Sequence, residues 1–194
     1  MKDSRRQFIR NSGITSILGI FPGLYILNSA EIGNLSLKEG FVCQPENQET
    51  YLIAGRQAPV TLMINKIKHG INSVSFCKEE IVENDFIPIH KHGREEEIIY
   101  IQNGRGLFIL GEKEFKVSAG SIAFVPKNIW HGLKNIGSDV LTMIFSYSPS
   151  GFENYFREIG VAKGEEWIEK TPEEYNAIDK KYSIVYKYTP PRWE

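Results

Sequence analysis

The chain has 194 residues, of which 23 are basic and 24 are acidic, so its formal net charge is −1. This balance excludes a polybasic nucleic-acid-binding protein and argues against an acidic tail protein. Hydrophobic residues make up 41% of the chain and aromatic residues 12%, which excludes intrinsic disorder and is enough for a substantial core.

The first thirty residues differ in charge from the rest. Four basic residues and one acidic residue lie among them, which leaves 19 basic and 23 acidic residues in the remainder. The charged residues of this segment are Lys2, Asp3, Arg5, Arg6 and Arg10. The body of the protein is therefore mildly acidic, and the near-neutral total is a cancellation between two parts.

The basic stretch at residues 4–10 reads SRRQFIR, and residues 11–30 carry no charge. This layout is typical of an export signal. The stretch resembles the twin-arginine signal, SRRxFLK, with Ile9 for leucine and Arg10 for lysine. The resemblance implies a signal peptide over 1–30, transport by the twin-arginine machinery to the periplasm, and a body that folds before export. A retained transmembrane anchor is the alternative, and only then would the protein stay on the membrane.

Short apolar or alternating runs, separated by turn residues, follow from 41 to 147. The runs that predict strands are 60–67, 73–81, 86–90, 97–102, 106–110, 114–117, 121–125, 130–135 and 140–147. Turn formers such as the Asn103-Gly104 pair stand between them. This spacing predicts an all-β fold, an antiparallel barrel or sandwich, as one domain over 31–149.

The pattern becomes helical after Pro149. Ser150 with Glu153, and Thr171 with Glu174, have the spacing of capping boxes. They predict helices over 151–159 and 172–181. We expect the whole of 150–194 to pack on the barrel as a helical extension rather than to form a second domain.

Three of the four histidines, His90, His92 and His131, lie within 42 residues of one another. His90 and His92 are two apart on a predicted strand, so their side chains leave the same face. Glu97 follows after a Gly-Arg break, and His131 would come from a partner strand. Imidazole and carboxylate ligands suit borderline divalent metals, and four of them leave an octahedral ion two open positions. By itself, the His-x-His pair would favour two solvent-facing strand residues over metal ligands.

The segments HKHGREEEIIYIQNG from His90 and GSIAFVPKNIWHGLKN from Gly120 resemble the two motifs of the cupin superfamily. The first motif, G(X)5HXH(X)3-4E(X)6G, is met at His90, His92, Glu97 and Gly104, with Asn84 for the opening glycine. The second motif, G(X)5PXG(X)2H(X)3N, is met at Gly120, Pro126, His131 and Asn135, with Asn128 for the middle glycine.

This resemblance implies a single cupin barrel, a double-stranded β-helix or jelly roll, with His90, His92, Glu97 and His131 as metal ligands. Only Glu97 leaves six residues before Gly104, so Glu95 and Glu96 are interpreted as solvated carboxylates. Asparagine tolerates left-handed backbone, so we expect Asn128 to preserve its turn.

The segment from Ser148, with the Pro190-Pro191 ending, looks like small single-domain cupins described as quercetin-dioxygenase-like. This implies an exported, metal-dependent oxidoreductase of dioxygenase type acting on a small aromatic or enolic substrate. Iron or manganese is favoured if the metal is loaded in the cytoplasm, with nickel, copper and zinc as alternatives. Glu97 is a hypothetical catalytic proton acceptor as well as a ligand. The alternatives are a metal-dependent isomerase or lyase on a sugar or small acid, and a non-catalytic small-molecule-binding cupin.

Several further side chains leave their roles open at this level. Phe108, Phe124 and Trp130 fit either the barrel core or an apolar pocket, and His69 is interpreted as a surface residue. Cys43 and Cys77 could pair in an exported protein, but folding in a reducing cytoplasm argues against dependence on that bond. A homodimer is compatible with the sequence but not required by it.

Overall fold

The fold is taken from a computed structural model, which describes residues 39–53 and 59–187. The predicted signal peptide over 1–30 and the Pro190-Pro191 ending lie outside the described residues. Among the described residues, no helix is both long and apolar enough to span a bilayer.

Two antiparallel sheets make up the described body. The strands are β1 (Glu49–Ile53), β2 (Val60–Ile64), β3 (Ser75–Ile81), β4 (Phe86–His92), β5 (Glu96–Asn103), β6 (Arg105–Leu110), β7 (Lys113–Ser118), β8 (Ile122–Val125), β9 (His131–Asn135), β10 (Leu141–Ser148), β11 (Gly160–Ala162) and β12 (Ile184–Tyr186). One sheet has the order β11-β1-β2-β3-β10-β5-β8, and the other has the order β12-β4-β9-β6-β7. The predicted all-β class is confirmed.

The core lies between the inner faces of the two sheets. On β3 the buried residues Ser75, Cys77, Glu79 and Ile81 alternate with more exposed ones, as the two-residue period of a strand requires. The largest fully buried apolar side chains are Phe145, Phe152, Leu62, Ile81, Ile109, Leu133 and Leu141. Cys43 and Cys77 are both free thiols, so they do not pair in this structure.

Each of the nine predicted runs contains a strand, but the run predicted over 60–67 extends three residues beyond the strand that forms there. Its strand ends at Ile64, and a short helix, α1 (Lys66–His69), follows. The Asn65 side chain caps this helix by accepting a hydrogen bond from the Lys68 amide at 2.8 Å. Gly70 ends it in the left-handed conformation, with φ of 70°. His69 lies half-buried at its end, stacked on Phe41 rather than free on the surface.

Two helices follow the last long strand: α2 (Asn154–Ile159) and α3 (Pro172–Tyr182). The capping box at Thr171 is confirmed, because Thr171 and Glu174 exchange side chain and backbone hydrogen bonds in both directions. The prediction of a capping box between Ser150 and Glu153 is wrong. Ser150 donates to the carbonyl of Ile71, and the buried Glu153 carboxylate accepts from the Lys66 amide at 2.7 Å.

Candidate metal centre

Three strands carry the four predicted ligands. His90 and His92 lie on β4, Glu97 is the second residue of β5, and His131 is the first residue of β9. His90 and His131 are direct partners in the pairing of β4 with β9. All four side chains are buried, so the structure brings together every residue that the motifs single out.

The donor atoms of the four side chains converge. One donor atom from each of them lies within 4.8 Å of all the others. Glu97 Oε2 is 2.9 Å from His131 Nε2 and 3.4 Å from His92 Nε2, and His90 Nε2 is 3.2 Å from His92 Nε2. Ligands about 2.1 Å from one ion at right angles to each other are about 3 Å apart, so these separations fit a single metal ion.

Backbone carbonyls set the orientation of two imidazoles. His90 Nδ1 is 2.7 Å from the carbonyl oxygen of Pro88, and His131 Nδ1 is 3.0 Å from that of Ile129. A carbonyl only accepts, so each Nδ1 carries the proton and donates it. Each Nε2 is left with a lone pair directed at the centre, the tautomer that a metal ligand needs.

The charge state of the cluster also suits a cation. Burial lowers the pKa of His90 and His92, and the neighbouring imidazoles lower it further. Burial by itself would raise the pKa of Glu97, but the adjacent imidazoles of His131 and His92 outweigh it and hold that pKa below its usual range. At neutral pH the centre therefore combines neutral His90 and His92 with an ionised carboxylate.

Two of the buried atoms that face the centre have no hydrogen-bond partner. Glu97 Oε2 and His131 Nε2 approach to 2.9 Å, yet neither has a hydrogen-bond partner of acceptable geometry. Buried polar atoms in native proteins are normally paired, and a buried charge is paired or coordinated to a metal. The residues present therefore fit a divalent ion.

The neighbouring carboxylates behave differently from each other. Glu96 is exposed, as predicted, but Glu95 is only 5% exposed, so its interpretation as a solvated carboxylate is wrong. The in-and-out alternation of the chain places Glu95 on the same side as Glu97. Burial raises the pKa of Glu95, although Arg94 lies nearby and opposes the shift.

The two asparagines that replace motif glycines both adopt left-handed backbone. Asn84 has φ of 65° and Asn128 has φ of 63°. The amide of Asn128 also donates to the carbonyl of His92 at 2.8 Å, which ties this turn to the ligand strand. The expectation that Asn128 preserves the turn is confirmed.

A cavity of about 440 Å³ opens onto the centre. His90, Glu97 and His131 face it, and its apolar lining includes Ile87, Ile99, Phe108, Leu133, Met143, Phe152 and Phe156. Phe108 therefore lines a pocket. Trp130 packs beside the small cluster of Ile89 and Ile109 instead, and Phe124 is 54% exposed, so it belongs to neither core nor pocket.

Sequence reasoning missed the part of the site that follows residue 147. The missed cavity residues are Phe152, Tyr155, Phe156, Ile159, Pro172, Tyr175, Asn176, Asp179, Ile184 and Tyr186. Phe152 packs edge-on against the His92 ring at 4.2 Å between centroids, and Tyr186 lies 5.8 Å from the His90 ring. Apolar residues at 152, 155, 156 and 159 have the spacing of one helix face. This pattern could have predicted that these four side chains face the barrel.

A protein-family model described as "Cupin domain" matches residues 78–147. The match contains all four clustered side chains. It supports the cupin superfamily, and the two-sheet fold is that of a cupin jelly roll.

Two curated relatives and one solved structure resemble parts of the chain. An uncharacterized protein of Methanocaldococcus jannaschii is 39% identical over 67 residues, which is 34% of this chain and 54% of that protein. A putative glucose-6-phosphate isomerase of Rhizobium meliloti is 38% identical over 72 residues, which is 34% of either chain. The chain thus spans about half or less of these relatives. The structure of KdgF from Halomonas sp. matches with a TM-score of 0.50 and 16% identity over 58% of this chain and 96% of that one.

Proposed function

We propose that this chain, whose residues 78–147 match the cupin domain family, is an exported metal-dependent enzyme of dioxygenase type. Its substrate is a small aromatic or enolic molecule, and its metal is iron or manganese, with nickel, copper and zinc as alternatives. The observation that carries the proposal is the cavity of about 440 Å³, in which apolar walls lead to three of the four clustered ligands.

The cavity favours an organic substrate over simple metal storage. Cavities of a few hundred Å³ with mostly apolar walls and a few convergent polar groups are typical of small-molecule sites. Since His90, Glu97 and His131 face the cavity, a molecule inside it can reach the centre. A four-ligand ion with open positions would supply Lewis acidity and, for a redox-active metal, electron transfer.

The residues of the chain have separate roles in this proposal. His90, His92, Glu97 and His131 hold the metal, and the carbonyls of Pro88 and Ile129 keep two of the imidazoles oriented. Phe152 and Tyr147 cover the His92 side of the centre with their rings and exclude water from it. Glu97 is proposed to accept the substrate proton, which requires its carboxylate to loosen from the metal.

A metal-dependent isomerase is the second candidate. The similarity to a putative glucose-6-phosphate isomerase favours it, although that similarity covers 34% of the chain. Both candidates use the same centre, but only the dioxygenase consumes oxygen.

The test begins with elemental analysis of protein purified without chelator, followed by oxygen-electrode measurements with a catechol and flavonol panel. We expect about one iron or manganese per chain and oxygen uptake with at least one substrate. Metal without oxygen uptake, together with aldose–ketose interconversion, would favour the isomerase. Absence of any bound transition metal would contradict both candidates.

Substitution of Glu97 tests its two roles. We expect Glu97→Gln to lose most of the metal or, where metal is retained, to lower turnover by roughly 100-fold or more. Glu96→Gln is the matched control, because Glu96 is adjacent but exposed, and it should retain both metal and turnover. Full turnover with retained metal in Glu97→Gln would exclude Glu97 as the proton acceptor.

A further inference from the structure

The cavity has a second polar region, built by the two helices that follow the barrel. Tyr155 on α2 and Tyr175 and Asp179 on α3 all line the cavity. Tyr175 and Asp179 are four residues apart, so they lie on the same face of α3. None of the three lies within the matched region, 78–147, that contains the metal ligands.

A directed hydrogen-bond chain crosses this region. The Tyr155 hydroxyl donates to Asp179 Oδ1 at 2.7 Å and lies 3.0 Å from the Tyr186 hydroxyl. A tyrosine hydroxyl has one proton, which Tyr155 gives to Asp179, so Tyr155 accepts from Tyr186. The Tyr155 oxygen keeps one lone pair, and Asp179 is an acceptor when ionised. Both groups therefore offer acceptors to a ligand.

Tyr175 adds an unsatisfied hydroxyl to the same region. Its oxygen is buried and has no hydrogen-bond partner among the described residues. A buried polar atom without a partner is uncommon in native structures and points to a missing ligand or water. This hydroxyl can donate as well as accept, which complements the acceptors of Tyr155 and Asp179.

The region lies about one aromatic ring away from the metal centre. The Phe152 ring contacts both His92 and Tyr155, with centroid distances of 4.2 Å and 5.1 Å. On the cavity side, the Tyr186 ring lies 5.8 Å from the His90 ring, and the Tyr186 hydroxyl lies 3.0 Å from that of Tyr155. A ring-sized molecule in the cavity can therefore lie near the clustered side chains and Tyr155 at once.

We propose that Tyr155, Tyr175 and Asp179 form a specificity subsite that binds a neutral hydroxyl group at the end of the substrate remote from the metal. The inference rests on the proposed function and narrows its substrate class to hydroxylated aromatic or enolic molecules. A carboxylate at the same place is disfavoured, because Asp179 brings a negative charge to the cavity.

Tyr155 acts as a hydrogen-bonding group rather than as a base. Burial, with further contributions from Tyr186 and Asp179, raises the pKa of Tyr155 well above its ordinary value. The hydroxyl thus stays protonated, which is the state that the direction of the chain requires.

The test uses three catechols that differ only in the substituent at position 4, ethyl, 2-hydroxyethyl or carboxymethyl. Their Kd for the metal-loaded protein is measured by calorimetry without oxygen, so that no turnover occurs. We expect the hydroxyethyl compound to bind roughly three- to tenfold more tightly than the ethyl compound, as one or two hydrogen bonds would give. The carboxymethyl compound should bind most weakly.

Variants then assign the preference to the subsite. Tyr155→Phe and Tyr175→Phe should reduce the hydroxyl preference to less than about twofold and leave the Kd of the ethyl compound unchanged, because the rings remain. Asp179→Asn should relieve the discrimination against the carboxymethyl compound. Tyr100→Phe is the control, since Tyr100 is 41% exposed on the outer face of β5, and it should behave as the unaltered protein.

The outcomes separate the subsite from the function. A hydroxyl preference that is absent, or that survives in both tyrosine variants, overturns the subsite even if oxygen uptake is observed. A preference that the variants abolish supports the subsite, and a lack of oxygen uptake then contradicts only the dioxygenase. Failure of all three catechols to bind overturns both the aromatic substrate class and the subsite. Circular dichroism checks that each variant is folded. If Tyr155→Phe does not fold, the hydroxyl preference of Tyr175→Phe alone decides whether the subsite exists.

Discussion

Asn135 is buried at the end of β9, the strand that begins with His131, and uses its whole side chain for hydrogen bonding. Its amide nitrogen donates to the carbonyl of Ile81 at 2.9 Å and to that of Asp139 at 2.8 Å. Its amide oxygen accepts from the amide of Gly137 at 2.9 Å. This residue joins the end of β3, the end of β9 and the turn between β9 and β10, so the last motif position is structural here.

Replacement of Asn135 measures that structural role. We expect Asn135→Ala to lower the free energy of unfolding by about 2–4 kcal/mol, because three hydrogen bonds are lost and buried backbone groups remain unpaired. Asn103→Ala is the control, since exposed Asn103 makes one bond, to Val140, and should lose less than about 1 kcal/mol. Urea unfolding of the two variants gives the comparison, and equal losses would contradict the assignment.

Helix α3 places two of the three subsite residues, and its position depends on its ends. Thr171 caps its start, and the Tyr182 hydroxyl at its end donates to Glu158 of α2 at 2.5 Å. The Lys181 ammonium lies 2.6 Å from the same carboxylate. Hydrogen bonds from Lys181 and Tyr182 both lower the pKa of Glu158. Of the residues in α3 only Tyr182 is buried, while Tyr175 and Ile178 are half-buried against the core, so the cap and these end contacts add to a limited core packing.

Removal of the cap tests this account of α3. We expect Thr171→Ala to destabilise the helix by about 0.5–2 kcal/mol, which corresponds to a roughly 2- to 30-fold faster exchange of its amide protons. Glu173→Ala is the control, because Glu173 lies in the first helical turn without a capping bond and should change exchange little. Unchanged exchange over 172–182 in Thr171→Ala would show that other contacts hold α3.

At the scale of the whole molecule, the chain divides near residue 30 into a basic segment and an acidic body. The body places its four clustered ligands on strands of both sheets, so the centre exists only after the barrel has formed. The twin-arginine pathway transports folded proteins, so the proposed export signal agrees with a metal that is bound before transport.

Substitution in the arginine pair tests this division. We expect the double change Arg5→Lys and Arg6→Lys to leave the protein in the cytoplasm, still folded and metal-loaded, because the body is unaltered. Arg10→Lys is the control, since lysine is the residue of the signal pattern at that position, and export should persist. Cell fractionation with elemental analysis of each fraction makes the measurement, and export of the double variant would contradict the twin-arginine interpretation.

The two-residue period and the turn residues were sufficient to place nine strands, and the capping box was sufficient to place the helix after Thr171, because these signals are local. The strand period places His90 and His92 on one face, and the resemblance to the cupin motifs selected Glu97 and His131 as their companions. The structure brings all four side chains together. The left-handed turn at Asn128 was predictable because asparagine tolerates that backbone conformation.

The rest depended on contacts between distant segments. Strands β11 and β12 have three residues each and no pattern of their own, and they form because β1 and β4 offer open edges. The burial of Glu95 and the partners of Glu153 likewise follow from what packs over them. The sequence by itself therefore determined the barrel strands and, through the motif resemblance, the four side chains that cluster. Only the tertiary structure decided the shape and far polar end of the cavity, because burial and pairing across long chain separations leave no periodic signal in the segments that make them.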